Sequence, residues 1–285
     1  MKRYFSAFIL VILAIAITQA QQQSSQEAQK TNKGNQEVVF TEPAYAKAPF
    51  DMGVDKLPPN YTGHDIAAIY AKVEKAVPPK DEFESSQQYN ARLKSLVMDE
   101  IYAVKIEETG IVSLAYDADS QTMKATIKVR PVAFYENPNS PSLITGITTK
   151  KGREAVSSYI GQNNYGATRN VTKSVGEDFN VAIEKVPDSL VEDRPLSALM
   201  PTDLKLAFPL APEKAREVKT KLGVLIVCKL KSPFRVYPDF NVTKPTFSDP
   251  TDSLRMHKSL YVELKGIWIF NTESGDVIKK FAVEK

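Results

Sequence analysis

Met123-Lys124-Ala125-Thr126-Ile127-Lys128-Val129 alternates apolar with polar side chains. Period two over seven residues predicts a strand with one buried face and one wet face. Upstream, Ile111-Val112-Ser113-Leu114-Ala115-Tyr116 is a second β-prone run, and Asp117-Ala118-Asp119-Ser120-Gln121 between them is rich in turn formers. Together they read as a hairpin. Pro131 cannot donate to a ladder, so it marks the end of the hairpin or a sheet edge.

Working toward the N-terminus, the period changes. Ile66, Ile69, Tyr70, Val73 and Val77 share one face of a helix that Asp65 can cap and Pro78-Pro79 stops. A second helix follows, with Ser85 and Gln88 at capping-box spacing and a stripe of Tyr89, Leu93, Leu96 and Val97. The acidic residues ahead of it, Asp81, Glu82 and Glu84, suit the positive end of the helix better than they suit paired acid catalysis. Residues 38–60 carry four prolines and read as an extended arm; residues 21–37 contain almost nothing to bury and read as a tether.

At the start of the chain, Lys2 and Arg3 precede an apolar run over residues 4–17 and then Thr18-Gln19-Ala20. This is the pattern of a secretory signal peptide cut near Ala20. The apolar run falls short of the roughly 20 residues that a membrane-spanning helix needs. Removal of residues 1–20 takes the formal charge from +3 to about +1, so no footprint for nucleic acid remains.

Toward the C-terminus, Asn137-Pro138-Asn139-Ser140-Pro141 reads as a turn, and residues 136–170 are irregular, with 153–160 readable as strand or short helix. Residues 179–183 read as a strand and 188–201 as a connector. Pro212 fits the first turn of a third helix, which Gly223 would stop in the left-handed region. The nearly all-apolar run over residues 224–230 predicts a central strand. Residues 261–264 and 267–270 predict two more, and the turn at 271–275 leads into a last strand over 276–283. The expected architecture is α+β, a few helices packed on mostly antiparallel sheet. It falls into 61–187 and 188–285, either as two subdomains or as one continuous domain.

Chemistry is scarce. Gly161 and Gly166 have phosphate-loop spacing, but Ala167 stands where the lysine belongs. Asp117 and Asp119 open like a calcium loop, but Thr122 and Lys128 occupy the glycine and glutamate positions. Cys228, the only cysteine, lies in a run that expects burial and inertness rather than partnership with His64 or His257. No cofactor, metal site or catalytic residue is expected. Asn60, Asn170 and Asn241 begin glycosylation-type triplets. The candidate interaction residues are Lys150, Lys151 and Arg153, a basic cluster in a loop, with Tyr165 and Trp268 as aromatic anchors.

Pro79-Lys80-Asp81-Glu82-Phe83-Glu84-Ser85-Ser86, continuing to Tyr89 and Arg92, resembles a segment of exported bacterial proteins without an established activity. Tyr159-Ile160-Gly161-Gln162-Asn163-Asn164-Tyr165-Gly166 resembles another. The resemblance implies an envelope or prophage-associated protein and brings no catalytic residue. The expectation is therefore an exported, periplasmic or extracellular protein that binds an envelope protein, cell-wall component or host factor. The alternatives are a hydrolase whose site assembles only on folding and a structural envelope component.

Overall fold

The apolar run over 224–230 lies at the centre of the structure because both of its faces are covered. In the computed structural model, which describes residues 44–137, 140–191 and 201–283, Val224, Ile226, Cys228 and Leu230 face one hydrophobic cluster. Leu225 and Val227 face a second. The run belongs to strand β8 (Leu222–Thr243), which pairs with β1 (Ile101–Lys105) on one side and β9 (Thr251–Asn271) on the other.

Around this pair the large sheet has the order β1-β8-β9-β6-β5-β4, where β4 is Arg130–Asn137, β5 Ser140–Gln162 and β6 Thr168–Ile183. All its pairings are antiparallel except β6 with β9, which runs parallel from Thr172↔Thr251 to Ile183↔Val262. Beyond that point β10 (Val277–Ala282) takes the place of β6 beside β9. Strands from both halves of the chain therefore interleave in one sheet. The hairpin read from the sequence forms β2 (Val112–Asp117) and β3 (Thr122–Ile127), and β7 (Leu204–Pro209) completes a second, three-stranded sheet.

The period-two run faces inward as its pattern requires: Met123, Ala125 and Ile127 are buried in the main core with Leu204, Leu206 and Phe208. Helix α1 (Ile66–Ala76) closes that core with Ile66, Ile69, Tyr70 and Val73, and Asp65 caps it by accepting from the Ala67 N–H. Helix α2 (Ser86–Ser95) has the full reciprocal capping box of Ser85 and Gln88. It buries only Leu93; Val97, expected on its apolar stripe, is 79% exposed. Helix α3 (Pro212–Val218) begins at its proline and packs Ala215 and Val218.

The composition is more strongly β than expected, 52% strand against 15% helix. Three elements account for most of the difference. Residues 136–170 are not irregular, because β5 alone is 23 residues long. Residues 261–264 and 267–270 are parts of one continuous strand, β9. Gly223 does not stop α3. The helix passes through a 3₁₀ turn at Lys219–Lys221 straight into β8, and glycine stands at 223 because the Phe270 ring and Thr272 methyl come within 2.8 and 2.7 Å of where a Cβ would be. Pro131 does lie in the terminal strand of the sheet order, β4.

One buried side chain fastens the segment before α1 to the sheet. His64 Nδ1 accepts from the Ala103 N–H at 3.0 Å, and its Nε2 lies 2.8 Å from the Ala48 carbonyl, which makes Nε2 the protonated nitrogen. The signal-peptide and tether readings, residues 1–37, and part of the expected connector lie outside the described residues.

Candidate interaction surface

Four strands of the large sheet continue past the core. Residues 154–162 of β5, 168–176 of β6, 251–256 of β9 and 239–243 of β8 stay paired in one layer. Among the described residues most side chains on both faces are exposed or half-buried, Val171 at 5% exposure being an exception. Cross-strand partners point to the same face, so the registers assign every side chain.

One face continues the core. Phe179, Val181, Leu260 and Val262 lie under the helices. Farther out the same face carries the row Ala155–Val175–Leu254–Val242, with Phe240 beside Met256 on one flank; on the other the polar row Ser157–Lys173–Asp252 comes next, and Tyr159 beside Val171 beyond it. Val242 is 60% exposed, Phe240 53%, Val175 42% and Leu254 37%. The opposite face is rich in hydroxyl and amide groups: Asn170, Thr172, Ser174, Thr251, Ser253 and Thr243. Its exceptions are Val156 and Ile160 on β5.

Where the two halves of the sheet meet, both outer strands break register. β5 does so between Lys151 and Glu154, and β8 between Val236 and Asp239. Gly152 sits in the first break, where the Glu177 and Phe179 side chains leave no room for a Cβ. On the polar face at this level lies a knot of charges. Arg255 grips Asp178 with two hydrogen bonds, Nε to Oδ2 at 3.0 Å and Nη2 to Oδ1 at 2.5 Å, and its Nη1 is 3.3 Å from Glu154. Arg130, brought over from β4, meets Asp239 at 2.7 Å. His257 lies between the two ion pairs, 5% exposed. Its Nδ1 is 3.5 Å from Asp178 but makes no hydrogen bond, and Nε2 makes none either. Burial first, and then the positive charge of Arg130, holds the ring's pKa below its ordinary value. The imidazole is thus kept neutral, so its contact with Asp178 is not an ion pair.

The residues expected from sequence fall in different places. Lys150, Lys151 and Arg153 lie in strand β5, not in a loop. Lys150 is pinned by Asp65 and the Tyr45 hydroxyl, each at 2.8 Å, and lies over the Tyr45 ring. Lys151 pairs with Glu108 at 2.7 Å. Arg153 is exposed at the edge of the outer sheet, and Tyr165, 96% exposed, stands at the β5–β6 turn. Trp268 is no anchor. It is 2% exposed, packed edge-on to Phe50 at 5.0 Å with the Lys280 ammonium over its ring, because the second cluster covers the face of β9 on which it lies.

The motifs weighed for chemistry have structural uses. Asn163 Oδ1 accepts from the Tyr165 and Ala167 N–H groups and Gly166 is left-handed at φ +84°, so Gly166 shapes a turn, while Gly161 lies within strand β5. Asp117 spends its oxygens on the Asp119 and Ser120 N–H groups and on Lys124, which pulls its pKa down to about 2. Burial pushes the Cys228 thiol up to about 12, the condition of an inert side chain.

Among the described residues no group of three or more His, Cys, Asp or Glu side chains could hold a metal ion. One concavity, about 430 Å³, is lined by Asp119–Gln121 and Pro209–Ala211 and holds no convergent acid or base pair. The outer sheet was missed from sequence although it had a signal. Phe240 and Val242, and then Leu254, Met256 and Leu260, alternate with polar residues at period two. Comparison of the chain with protein-family models, with curated proteins and with solved structures finds no significant match.

Proposed function

We propose that the chain is an exported protein that works by binding, and that it takes an envelope protein or cell-wall partner on the apolar face of its outer sheet. The observation that carries this reading is the row Ala155–Val175–Leu254–Val242. It is continuous with the core face of the same strands yet left uncovered among the described residues. Uncovered apolar surface of this kind marks interaction sites more often than it decorates a free monomer. The mixture of aliphatic row, Phe240 and Tyr159 suits a partner with its own flat apolar patch. The hydroxyl-rich opposite face would stay in water.

Export rests on the charged, apolar and small-residue sequence of residues 1–20. Among the described residues no helix is long and apolar enough to cross a membrane.

The test is a pair of substitutions, Val175→Lys and Leu254→Lys, introduced into the tagged chain in its own cells. The expected result is loss of co-purifying envelope material with an unchanged melting temperature. Retention of the same material by both variants would sink the assignment of the face. An intact N-terminus at Met1 on the cytosolic protein would sink export.

A further inference from the structure

We infer that the chain pairs with a second copy of itself through the outer edge of β5, in antiparallel register about a two-fold axis at Ser158. This uses the edge of the outer sheet, not its apolar face, so it stands independently of the binding partner proposed above.

The edge is open. β5 pairs with β6 from Glu154↔Gly176 to Gln162↔Thr168 without a break. On its other side, pairing with β4 ends at Gly146. Beyond that, among the described residues, the backbone contacts to this edge are those of Glu107 and Glu108, whose N–H groups donate to the Thr149 carbonyl. Residues 154–162 therefore turn a row of N–H and C=O groups outward, a ready template for another strand.

The opposite edge of the same outer sheet shows what protection looks like. Just before its outer part, residues 239–243, β8 carries Pro233 and Pro238 and shifts register against β9 between Leu230 and Arg235 and between Val236 and Asp239. Prolines and bulges are devices that blunt an edge. Between residues 154 and 162, β5 has neither. Its central run, Ala155-Val156-Ser157-Ser158-Tyr159-Ile160-Gly161, is also free of charge.

The side chains are self-complementary in one register. Rotation about Ser158 sets Val156 against the mate's Ile160, and Ile160 against the mate's Val156, with Ser158 against its own copy between them. These positions lie on the hydroxyl-rich face, where Val156 is 67% and Ile160 72% exposed and where each strand's neighbours are serine, threonine and asparagine. The apolar surface that matches them is the same pair in a second copy. On the other face Ala155 meets Gly161 and Ser157 meets Tyr159. A parallel pairing would instead oppose Glu154 to Glu154 and Arg153 to Arg153. The antiparallel pairing closes as an isologous dimer and joins two outer sheets into one of eight strands.

The test reads register as well as association. Sedimentation of the purified chain between about 1 and about 200 µM gives the wild-type dimer. Val156→Lys with Ile160→Lys places lysine opposite lysine and is expected to weaken association at least about tenfold. Val156→Lys with Ile160→Glu places lysine opposite glutamate at both sites and is expected to restore it. Both positions are exposed, and unchanged circular dichroism and melting temperature verify the fold. As a readout free of mutation, wild-type amide exchange over residues 154–162 is expected to slow as concentration rises. A wild-type chain that stays monomeric throughout, or a dimer indifferent to the double lysine variant, overturns the inference. So does a lysine–glutamate variant no better than the double lysine one.

Discussion

β9 passes through two environments in 21 residues. From Ser259 onward it is mostly buried, Glu263 and Lys265 apart, with Leu260, Ile267, Trp268, Ile269 and Phe270 each at 2% exposure or less. Over residues 251–256 it is half-open, and Leu254 is 37% exposed. β5, β6 and β8 make the same passage. Backbone pairing continues across the boundary, so hydrogen bonding holds the outer half and apolar burial holds the inner half. A sheet of this kind separates the part that buries the core from the part left open to solvent, and it does so along single strands.

The largest break in that comparison is expected at Trp268. Trp268→Ala removes a fully buried ring from between Phe50 and Lys280 and is expected to cost about 3–5 kcal/mol in urea-melt stability. Next comes the boundary itself. Asp178→Ala leaves the Arg255 guanidinium without its buried partner, for an expected loss of about 3 kcal/mol. The double variant Asp178→Leu with Arg255→Met is expected to recover most of it. A double variant as unstable as the single would show that the knot at the boundary works through something other than charge pairing.

A smaller effect is expected from pH. His257 is held neutral in the fold, whereas the unfolded chain takes up its proton near the ordinary value of 6.5. Below that pH the unfolded state binds more protons, so the contribution is complete above about 6.5 and is lost as pH falls toward the folded value. His257→Gln is expected to flatten the decline in melting temperature between about pH 7.5 and 5.5. An undiminished slope would place the decline on other groups. The smallest effect belongs to the outer half: Val242→Ser, at a site 60% exposed, is expected to shift stability by no more than about 0.5 kcal/mol. A loss of several times that size would mean that the apolar row is covered by the protein itself.

How legible each half was follows from the same physics. The run from Met123 to Val129 is readable because one face meets a core and the other meets water. The all-apolar stretch over 224–230 is readable because both faces are buried. Residues 153–162 resist reading because a single layer with two open faces imposes no hydrophobic period on an edge strand. β8 could not be followed beyond Leu230 because Pro233 and Pro238 are normal stop signals, tolerated here on a strand whose outer edge is unpaired. The parallel match of β6 with β9 joins segments about 80 residues apart, and no local pattern announces it. Helix α1, the capping box and the hairpin are local and were legible. The knot of Arg130, Asp178, Asp239, Arg255 and His257 draws on four strands, and only the assembled sheet brings those residues together.

β6, β8 and β10 all lean on β9, the second-last strand in the chain. Without β9 the large sheet falls into two pieces, β1-β8 on one side and β6-β5-β4 on the other, with β10 paired to neither. Each piece is held by its own strand pairs, and the docking of β9 is the step that couples them.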